Sequence, residues 1–396
     1  MSEWQTFCLK DLVKIFGGST PPTNNPKNYG NKIRWITAKD LSTLQGRYIK
    51  KGSRSISRLG FKSCSTFLLP KHAILFSVRA PIGYTAIISK RSCTDRGLMG
   101  LVPNKKIYFE FLYYLLKYHK DNISNMGVGT TFKGISKPAL GLFEVKIPST
   151  YYEQQKIART LSILDQKIEN NHKINELLHK ILELLYEQYF VRFDFLDENN
   201  KPYQTSGGKM KFSKELNRLI PSGWSVRFLN HKIVSTYQPK TISKTLLNDS
   251  YSYSVYGGGG IIGRFTEYNH EQSEFIISCR GQCGISYLTL PKSWITGNAM
   301  VIRPTKSYTS KTYLYHTIKK YKLTNYITGS VQPQITRQNL STMPILIPKR
   351  KTLNKWNNIS SLLWNLIHNN MQSTQTLTAL RDFLLPLLLT QQVKPQ

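Results

Sequence analysis

Ile147-Pro148-Ser-Thr150-Tyr-Tyr-Glu153-Gln-Gln-Lys-Ile157-Ala-Arg-Thr-Leu161-Ser-Ile-Leu164 reads as a proline stop followed at once by a helix start. Thr150 and Glu153 have the spacing of a capping box, in which a hydroxyl and a carboxylate satisfy amide donors at a helix N-terminus. Ile157, Leu161, Leu164, Ile168, Asn171, Asn175, Leu178, Leu182, Leu185 and Tyr189 then keep alternating 3-4 steps, which predicts a long helix with one buried seam broken by two amides.

Working outward, the same arrangement returns after Ile347-Pro348. Ile359, Leu363, Leu366, Asn370, Ser373, Leu377, Leu380 and Leu384 form the second stripe, and Pro386 is expected to end or kink that helix. Two such stripes, each beside a compact unit, predict an antiparallel coiled coil in which the asparagines set register, since a buried amide prefers a matching amide to a leucine. Roughly 40 residues at about 1.5 Å each give a rod of about 60 Å. Such a rod fixes the distance between two contact regions.

The repeat extends into the units themselves. Trp4 and Leu9 answer Trp224 and Leu229, and Phe76-Ser77-Val78-Arg79 with Gly83 answers Ile277-Ser278-Cys279-Arg280 with Gly284. Met99 and Pro103 answer Met300 and Pro304; Gly129, Ile135, Leu140 and Ile147 answer Gly329, Ile335, Leu340 and Ile347. The offset changes in small steps except for one jump between residues 38 and 75, so the first copy carries an insertion there. Two long copies mean a duplicated domain and not a solenoid. The boundaries read as duplicated globular units over 1–150 and 216–350, a central helix over 151–192, a linker over 193–215 and a C-terminal helix over 351–390.

Charge says what such units contact. Net charge is +33, and residues 1–150 hold 24 Lys/Arg against 7 Asp/Glu, whereas residues 151–215 hold 10 of each and residues 216–350 hold 17 against 4. Both units are basic and the first long helix is neutral. That distribution points to a polyanion touched in two places. The start, MSEWQTFCLK, has no apolar signal core, and no apolar run approaches the roughly 20 residues needed to cross a bilayer. Five scattered cysteines read as reduced thiols, so a cytoplasmic protein without membrane contact is expected.

Short apolar runs, Ala73–Val78, Tyr84–Ile88, Glu274–Ser278 and Ala299–Ile302, sit between Gly, Pro, Ser and Asn punctuation and read as strands. Phe109–Tyr118 and Tyr313–Tyr321 are long enough for one helix per copy. The class is α/β (α+β). Chemistry is absent from the motifs. Gly127-Val-Gly-Thr-Thr-Phe-Lys133-Gly lacks the Gly-Lys-Ser/Thr of a phosphate loop, and Gly257–Gly260 lacks a strand-loop-helix context. Asp121 with Glu144-Val-Lys146 imitates a nuclease triad, but Glu144 aligns with Pro344. Cys279 and Cys283 have no second pair, and the histidines show no ligand spacing. The chain reads as a binder without catalytic or metal residues.

Gly17-Gly-Ser-Thr-Pro-Pro-Thr-Asn-Asn-Pro26, Ile33-Arg-Trp-Ile-Thr-Ala-Lys-Asp-Leu41, Arg79-Ala-Pro-Ile-Gly83 and Gly129-Thr-Thr-Phe-Lys-Gly-Ile135 resemble the target-recognition domains of type I restriction-modification specificity subunits. Glu153-Gln-Gln-Lys-Ile157 with Leu164-Asp-Gln-Lys-Ile168-Glu-Asn resembles that family's central conserved helix, and Leu380-Arg-Asp-Phe-Leu-Leu-Pro-Leu387 its distal one. The resemblance covers essentially the whole chain. One departure is Lys349-Arg-Lys-Thr-Leu-Asn-Lys-Trp356, where the family usually has a Pro-Leu-x-Glu-Gln-like start; it leaves the first residue of the C-terminal helix open. The resemblance implies two duplicated recognition domains separated by the helix pair, and a subunit that binds an asymmetric, bipartite double-stranded DNA target. It implies docking of two methyltransferase subunits, with two motor-nuclease subunits added in the full assembly. S-adenosylmethionine, ATP and Mg²⁺ belong, by that resemblance, to the partners.

Residue chemistry then nominates the readers. Arg79 and Arg280 share one repeat position beside glycines, and arginine supplies bidentate donors for base edges. Thr130, Thr131 and Lys133 occupy the loop that holds Gln332 and Gln334 in the other copy, so the halves differ chemically; Gln282 lies in the Arg280 loop. The insertion brings Arg47, Lys50, Lys51, Arg54, Arg58 and Lys62 as a phosphate clamp for the first half. Contact with about 6–10 phosphates implies a roughly 10³–10⁵-fold loss of affinity between 50 and 200 mM salt. Two competing classes remain at this level, a basic coiled-coil scaffold for RNA or anionic membranes and a self-sufficient restriction or modification enzyme.

Overall fold

The structure, a computed structural model, describes residues 3–79, 81–129, 133–249, 251–329 and 332–394. The chain divides into unit 1, Met1–Lys173 with Asn370–Gln396, and unit 2, Ile174–Asn369. Four helices organise them: α1 (Phe109–Tyr118), α2 (Tyr151–Tyr186), α3 (Lys311–Lys319) and α4 (Arg350–Leu389).

In unit 1 a mixed sheet runs in the order Val13–Gly17, Leu98–Pro103, Ile74–Ser77, Thr85–Ile88, Tyr48–Ile49. A smaller sheet places Tyr29–Ile36 between antiparallel Arg54–Ile56 and parallel Cys93–Thr94. Trp4–Cys8 pairs with Glu144–Pro148 just before α2. Alternating Ile, Leu and Val fill the space between the large sheet and α1, where Phe111, Leu112 and Tyr114 are fully buried.

Unit 2 repeats the plan. Its larger sheet runs Val234–Tyr237, Ala299–Pro304, Phe275–Ser278, Ser286–Leu288. Tyr253–Gly257 lies between antiparallel Gly260–Phe265 and parallel Trp294–Ile295, and Ser225–Phe228 pairs with Pro344–Ile347 before α4. The insertion accounts for the extra strand of unit 1, Tyr48–Ile49. Apart from the two-stranded hairpin Met210–Ser213 with Arg218–Pro221, which precedes the second copy, and the short pair Ile327–Thr328 with Gln334–Ile335, the duplicated architecture is the one the repeat predicts. Helix α3 starts two residues before the apolar run, at Lys311, because Ser310 caps it by accepting from Tyr313 N.

Helices α2 and α4 pair antiparallel inside each unit. In unit 1 Arg381 meets Asp165 and Asn171 meets Thr374; in unit 2 the Asn175 amide donates to Ile367 O at 3.3 Å and His179 lies edge-on to Trp364. The amide of Asn171 reaches Asn370 O (3.5 Å), Ser373 Oγ (3.4 Å) and Thr374 Oγ1 (3.2 Å), so the seam asparagine of α2 meets the seam asparagine position of α4 and the hydroxyls beside it.

The α2 seam holds as read, with none of its ten positions exposed. The α4 seam holds at Leu363, Asn370, Leu377 and Leu384, which are half-buried, and shifts to the next residue at its other positions. Ile359, Leu366 and Leu380 are 36%, 44% and 43% exposed, and the inward positions also include Ser360, Trp364, Ile367, Met371, Thr374, Arg381 and Leu388. Polar members hid that stripe from a reading based on hydrophobicity. Each has a partner: Ser360 Oγ bonds Thr312 Oγ1 at 2.8 Å, Thr374 takes the Asn171 amide and Arg381 pairs with Asp165. The open question of where α4 begins resolves at Arg350, with Leu353 N closing the first turn on Lys349 O. Pro386 does not end α4, which runs on to Leu389. Burial of Leu388 and Leu389 in the unit 1 core offsets the single hydrogen bond a proline withholds so near a C-terminus.

Candidate nucleic-acid interface

The repeated arginines sit on turns built bond for bond alike. In unit 1 Ser77 N donates to Tyr84 O (2.8 Å), Ser77 Oγ donates to Pro81 O (2.8 Å) and accepts from Tyr84 N (2.8 Å), and Gly83 N donates to Ser77 O (3.0 Å). In unit 2 Ser278 makes the same set with Ile285, Gln282 and Gly284. Each serine is buried and holds a turn that projects the exposed arginine two residues later. Gly83 and Gly284, at φ +105° and +88°, supply the left-handed residue such a turn requires.

A second loop is tied to each turn. Ile135 N donates to Val78 O (3.2 Å) and Arg79 bridges Gly134; Ile335 N donates to Cys279 O (3.1 Å) and Arg280 bridges Gln334. Arg79 and Lys133 therefore share one exposed surface element, and Arg280, Gln332 and Gln334 share the other. Gln282 is exposed and lends its carbonyl to Ser278 Oγ. Thr130 and Thr131 lie outside the described residues. The supporting residues that sequence reasoning missed are Ser77 and Ser278; their signal was present in the aligned Phe-Ser-Val-Arg and Ile-Ser-Cys-Arg, but a lone buried serine does not announce its role.

In unit 2 the hairpin tip joins the same element. Gly258 packs against the Arg280 carbonyl so closely that a Cβ there would lie 2.6 Å from the oxygen. Cys283 Sγ donates to Pro333 O at 3.1 Å and Cys279 Sγ accepts from Gln238 Nε2 at 2.9 Å, with burial raising both thiols. Among the described residues no group of three or more His, Cys, Asp or Glu side chains is placed to hold a metal ion.

The insertion divides in two. Lys50, Lys51, Arg54, Arg58 and Lys62 are exposed, and Arg54 stacks its guanidinium 4.0 Å from the Tyr29 ring centroid. Tyr29 and Trp35 in turn bond to the carbonyls of Pro21 and Ser19, which anchors the Gly17–Pro26 loop beside Arg54. Arg47 departs from the expected clamp. It is 5% exposed and donates from N and Nε to Glu169 (2.9 and 3.3 Å) and from Nη1 to Glu110 (3.2 Å). A guanidinium buried to this degree and paired with two carboxylates is a packing element and does not face solvent as a phosphate contact would.

A family model described as the type I restriction modification DNA specificity domain matches residues 1–180 and 221–379. The chain belongs to that family. A type I restriction enzyme MjaIX specificity subunit of Methanocaldococcus jannaschii is 28% identical over 422 aligned positions, spanning 98% of this chain and 92% of that protein. A putative MjaX specificity subunit of the same organism is 32% identical over 183 positions, 45% of this chain and 40% of its own length. The crystal structure of a type I restriction-modification S subunit from M. genitalium superposes with a TM-score of 0.61 at 19% identity, covering 98% of this chain and 96% of that one, and so shares the fold. The relatives are specificity subunits, not catalytic ones, and neither competing class is favoured.

Proposed function

We propose that this chain reads an asymmetric, two-part double-stranded DNA site as the specificity subunit of a type I restriction-modification complex, one half-site per unit. The observation that carries this reading is the pair of reading turns: the same serine-built scaffold carries an arginine in both copies, while the loop tied to it presents Lys133 in one and Gln332 with Gln334 in the other. Like frames with unlike donors read unlike bases. Lys50, Lys51 and Arg54 add phosphate contacts to the first half, and backbone contacts supply affinity without sequence preference.

The long helices carry the partners. Tyr152, Ile163 and Phe383 in unit 1 are 67%, 49% and 65% exposed, and Leu177, Leu184 and Leu362 in unit 2 are 61%, 58% and 62% exposed. Apolar surface of this kind on helices that are otherwise polar supports docking of two methyltransferase subunits, with two motor-nuclease subunits joining them. S-adenosylmethionine, ATP and Mg²⁺ are used by those partners in this reading, and the assembly works in the cytoplasm. Among the described residues no helix is long and apolar enough to cross a membrane.

Exchanging residues 1–150 for the corresponding unit of another specificity subunit, and mapping methylated bases genome-wide, tests the reading. One half of the target should change and the other should stay. A change in both halves, or in neither, rejects it.

A further inference from the structure

The two long helices start differently. At α2, Glu153 N donates to Thr150 Oγ1 (3.3 Å), and Gln154, 1% exposed, donates through Nε2 to Lys106 O and Pro148 O. At α4 the same three positions hold Lys349, Thr352 and Leu353. No acid lies in its first turn, and Lys349, Arg350, Lys351 and Lys355 crowd an end where the helix dipole disfavours cations. The amides of Arg350, Lys351 and Thr352 precede the first intrahelical bond, and no side chain among the described residues accepts from them.

A cavity of about 250 Å³ opens at this helix start within unit 2. Its floor is Trp224 stacked on Phe195, with ring centroids 5.1 Å apart, and Lys349, Lys351 and Lys355 stand around it. The Lys349 side chain passes over Gly223, at φ +86°, with its Cε 2.7 Å from where a Cβ would sit. Thr352 also lines the cavity. It is only 6% exposed, and its hydroxyl has no hydrogen-bond partner among the described residues. Of the two nearby acids, Asp197 is occupied by the amides of Asn199 and Lys201, and Glu198 is exposed at the edge.

We propose that this cavity binds a phosphate group, either free or at the end of a nucleotide, which then serves as the missing cap of α4. Unpaired amides at a helix start, an unpartnered hydroxyl on a threonine only 6% exposed and the side chains of Lys349 and Lys351 at the same cavity are the donor set an oxyanion needs, while Lys355 Nζ is already given to Leu196 O at 3.4 Å. A water takes roughly 30 Å³, so the cavity admits a phosphate with part of its hydration. The inference does not depend on which DNA sequence the chain reads.

Titration calorimetry on the full chain without DNA, at ionic strength held constant with chloride, tests it. Inorganic phosphate should bind once per chain, and Thr352→Val should weaken it about tenfold, the loss expected for one hydrogen bond to a charged group. Lys351→Gln, which leaves the buried threonine untouched, should weaken it as well and guards against a folding defect in the first variant. ATP binding more tightly than phosphate, and losing that advantage in Thr352→Val, assigns the site to a nucleotide; equal affinities assign it to free phosphate. Absence of saturable phosphate binding in the millimolar range, or unchanged affinity in both variants, overturns the proposal.

Discussion

The Tyr114 hydroxyl donates to Asp165 Oδ2 at 2.6 Å, and the other oxygen of that carboxylate accepts from Arg381 Nη1 at 2.8 Å. One buried acid thus ties α1 to both long helices inside unit 1. At the corresponding positions unit 2 has His316 and Trp364, so the same joint is made ionic in one copy and aromatic in the other. Arg47 with Glu110 and Glu169 extends the ionic version, and Tyr48 Oη adds a 2.6 Å bond to Glu110.

Breaking the ionic joint from one side should be costly. Arg381→Met leaves the Asp165 carboxylate, 4% exposed, without its cation, and removal of one partner of a buried pair costs about 3–5 kcal/mol. The double variant Asp165→Asn/Arg381→Met should regain much of that loss. Urea unfolding of the three proteins measures the coupling; equal stability of the single variant and the parent refutes a structural role for the pair.

The aromatic joint predicts acid sensitivity. Burial, with Lys319 and His179 nearby, pushes His316 down to about 3, and burial with Lys311 and His179 pushes His368 down to about 4. An unfolded histidine titrates near 6.5, so below that pH the unfolded chain takes up protons that the folded one refuses. Stability is therefore full above about pH 6.5 and falls as pH drops toward 4. Each histidine contributes a loss on the order of 2 kcal/mol between pH 7 and 5. His316→Phe should flatten that slope in denaturant titrations run at the two pH values.

How much of this was legible follows from the range of the interactions. The repeat exposed the duplicated sheets and both reading turns because Arg79 and Arg280 keep their place relative to Gly83 and Gly284. It could not expose Arg47, whose partners lie 63 and 122 positions away; a basic residue among basic neighbours reads as solvated until its acids are brought to it. Half of the α4 seam was misplaced by one residue for a related reason. Ser360 and Arg381 face inward only because Thr312 and Asp165 await them, and hydropathy along one helix carries no trace of a partner on another. Thr37 and Asp40, a complete capping box within four residues, show the opposite case of a purely local signal.

If the exposed lysines of the insertion contact phosphates, neutralising them should act uniformly. The triple variant Lys50→Gln/Lys51→Gln/Arg54→Gln should reduce the slope of log affinity against log salt by roughly 0.9 per lost phosphate contact, on cognate and non-cognate duplexes alike. Loss of discrimination at particular base pairs would contradict the assignment. Arg79→Ala and Arg280→Ala should behave the other way, each costing about 1–3 kcal/mol and relaxing one half-site only, as read by competition with base-substituted duplexes.

Adjacent glycines in the unit 2 hairpin make the sharpest contrast. A Cβ on Gly258 would sit 2.6 Å from the Arg280 carbonyl oxygen, which belongs to the backbone and cannot swing aside as a side chain would. A Cβ on Gly259 meets nothing within 4 Å. Gly258→Ala must therefore displace the Arg280 turn, together with the loop bonded to it through Ile335 N and Cys279 O, whereas Gly259→Ala leaves both in place. The first variant should lose affinity for the second half-site by at least about tenfold, the equivalent of one good base contact, while the first half-site is read as before. The second should match the parent on both. Methylation mapping or duplex competition reports each half separately, and equal behaviour of the two variants would show that the hairpin tip does not position Arg280.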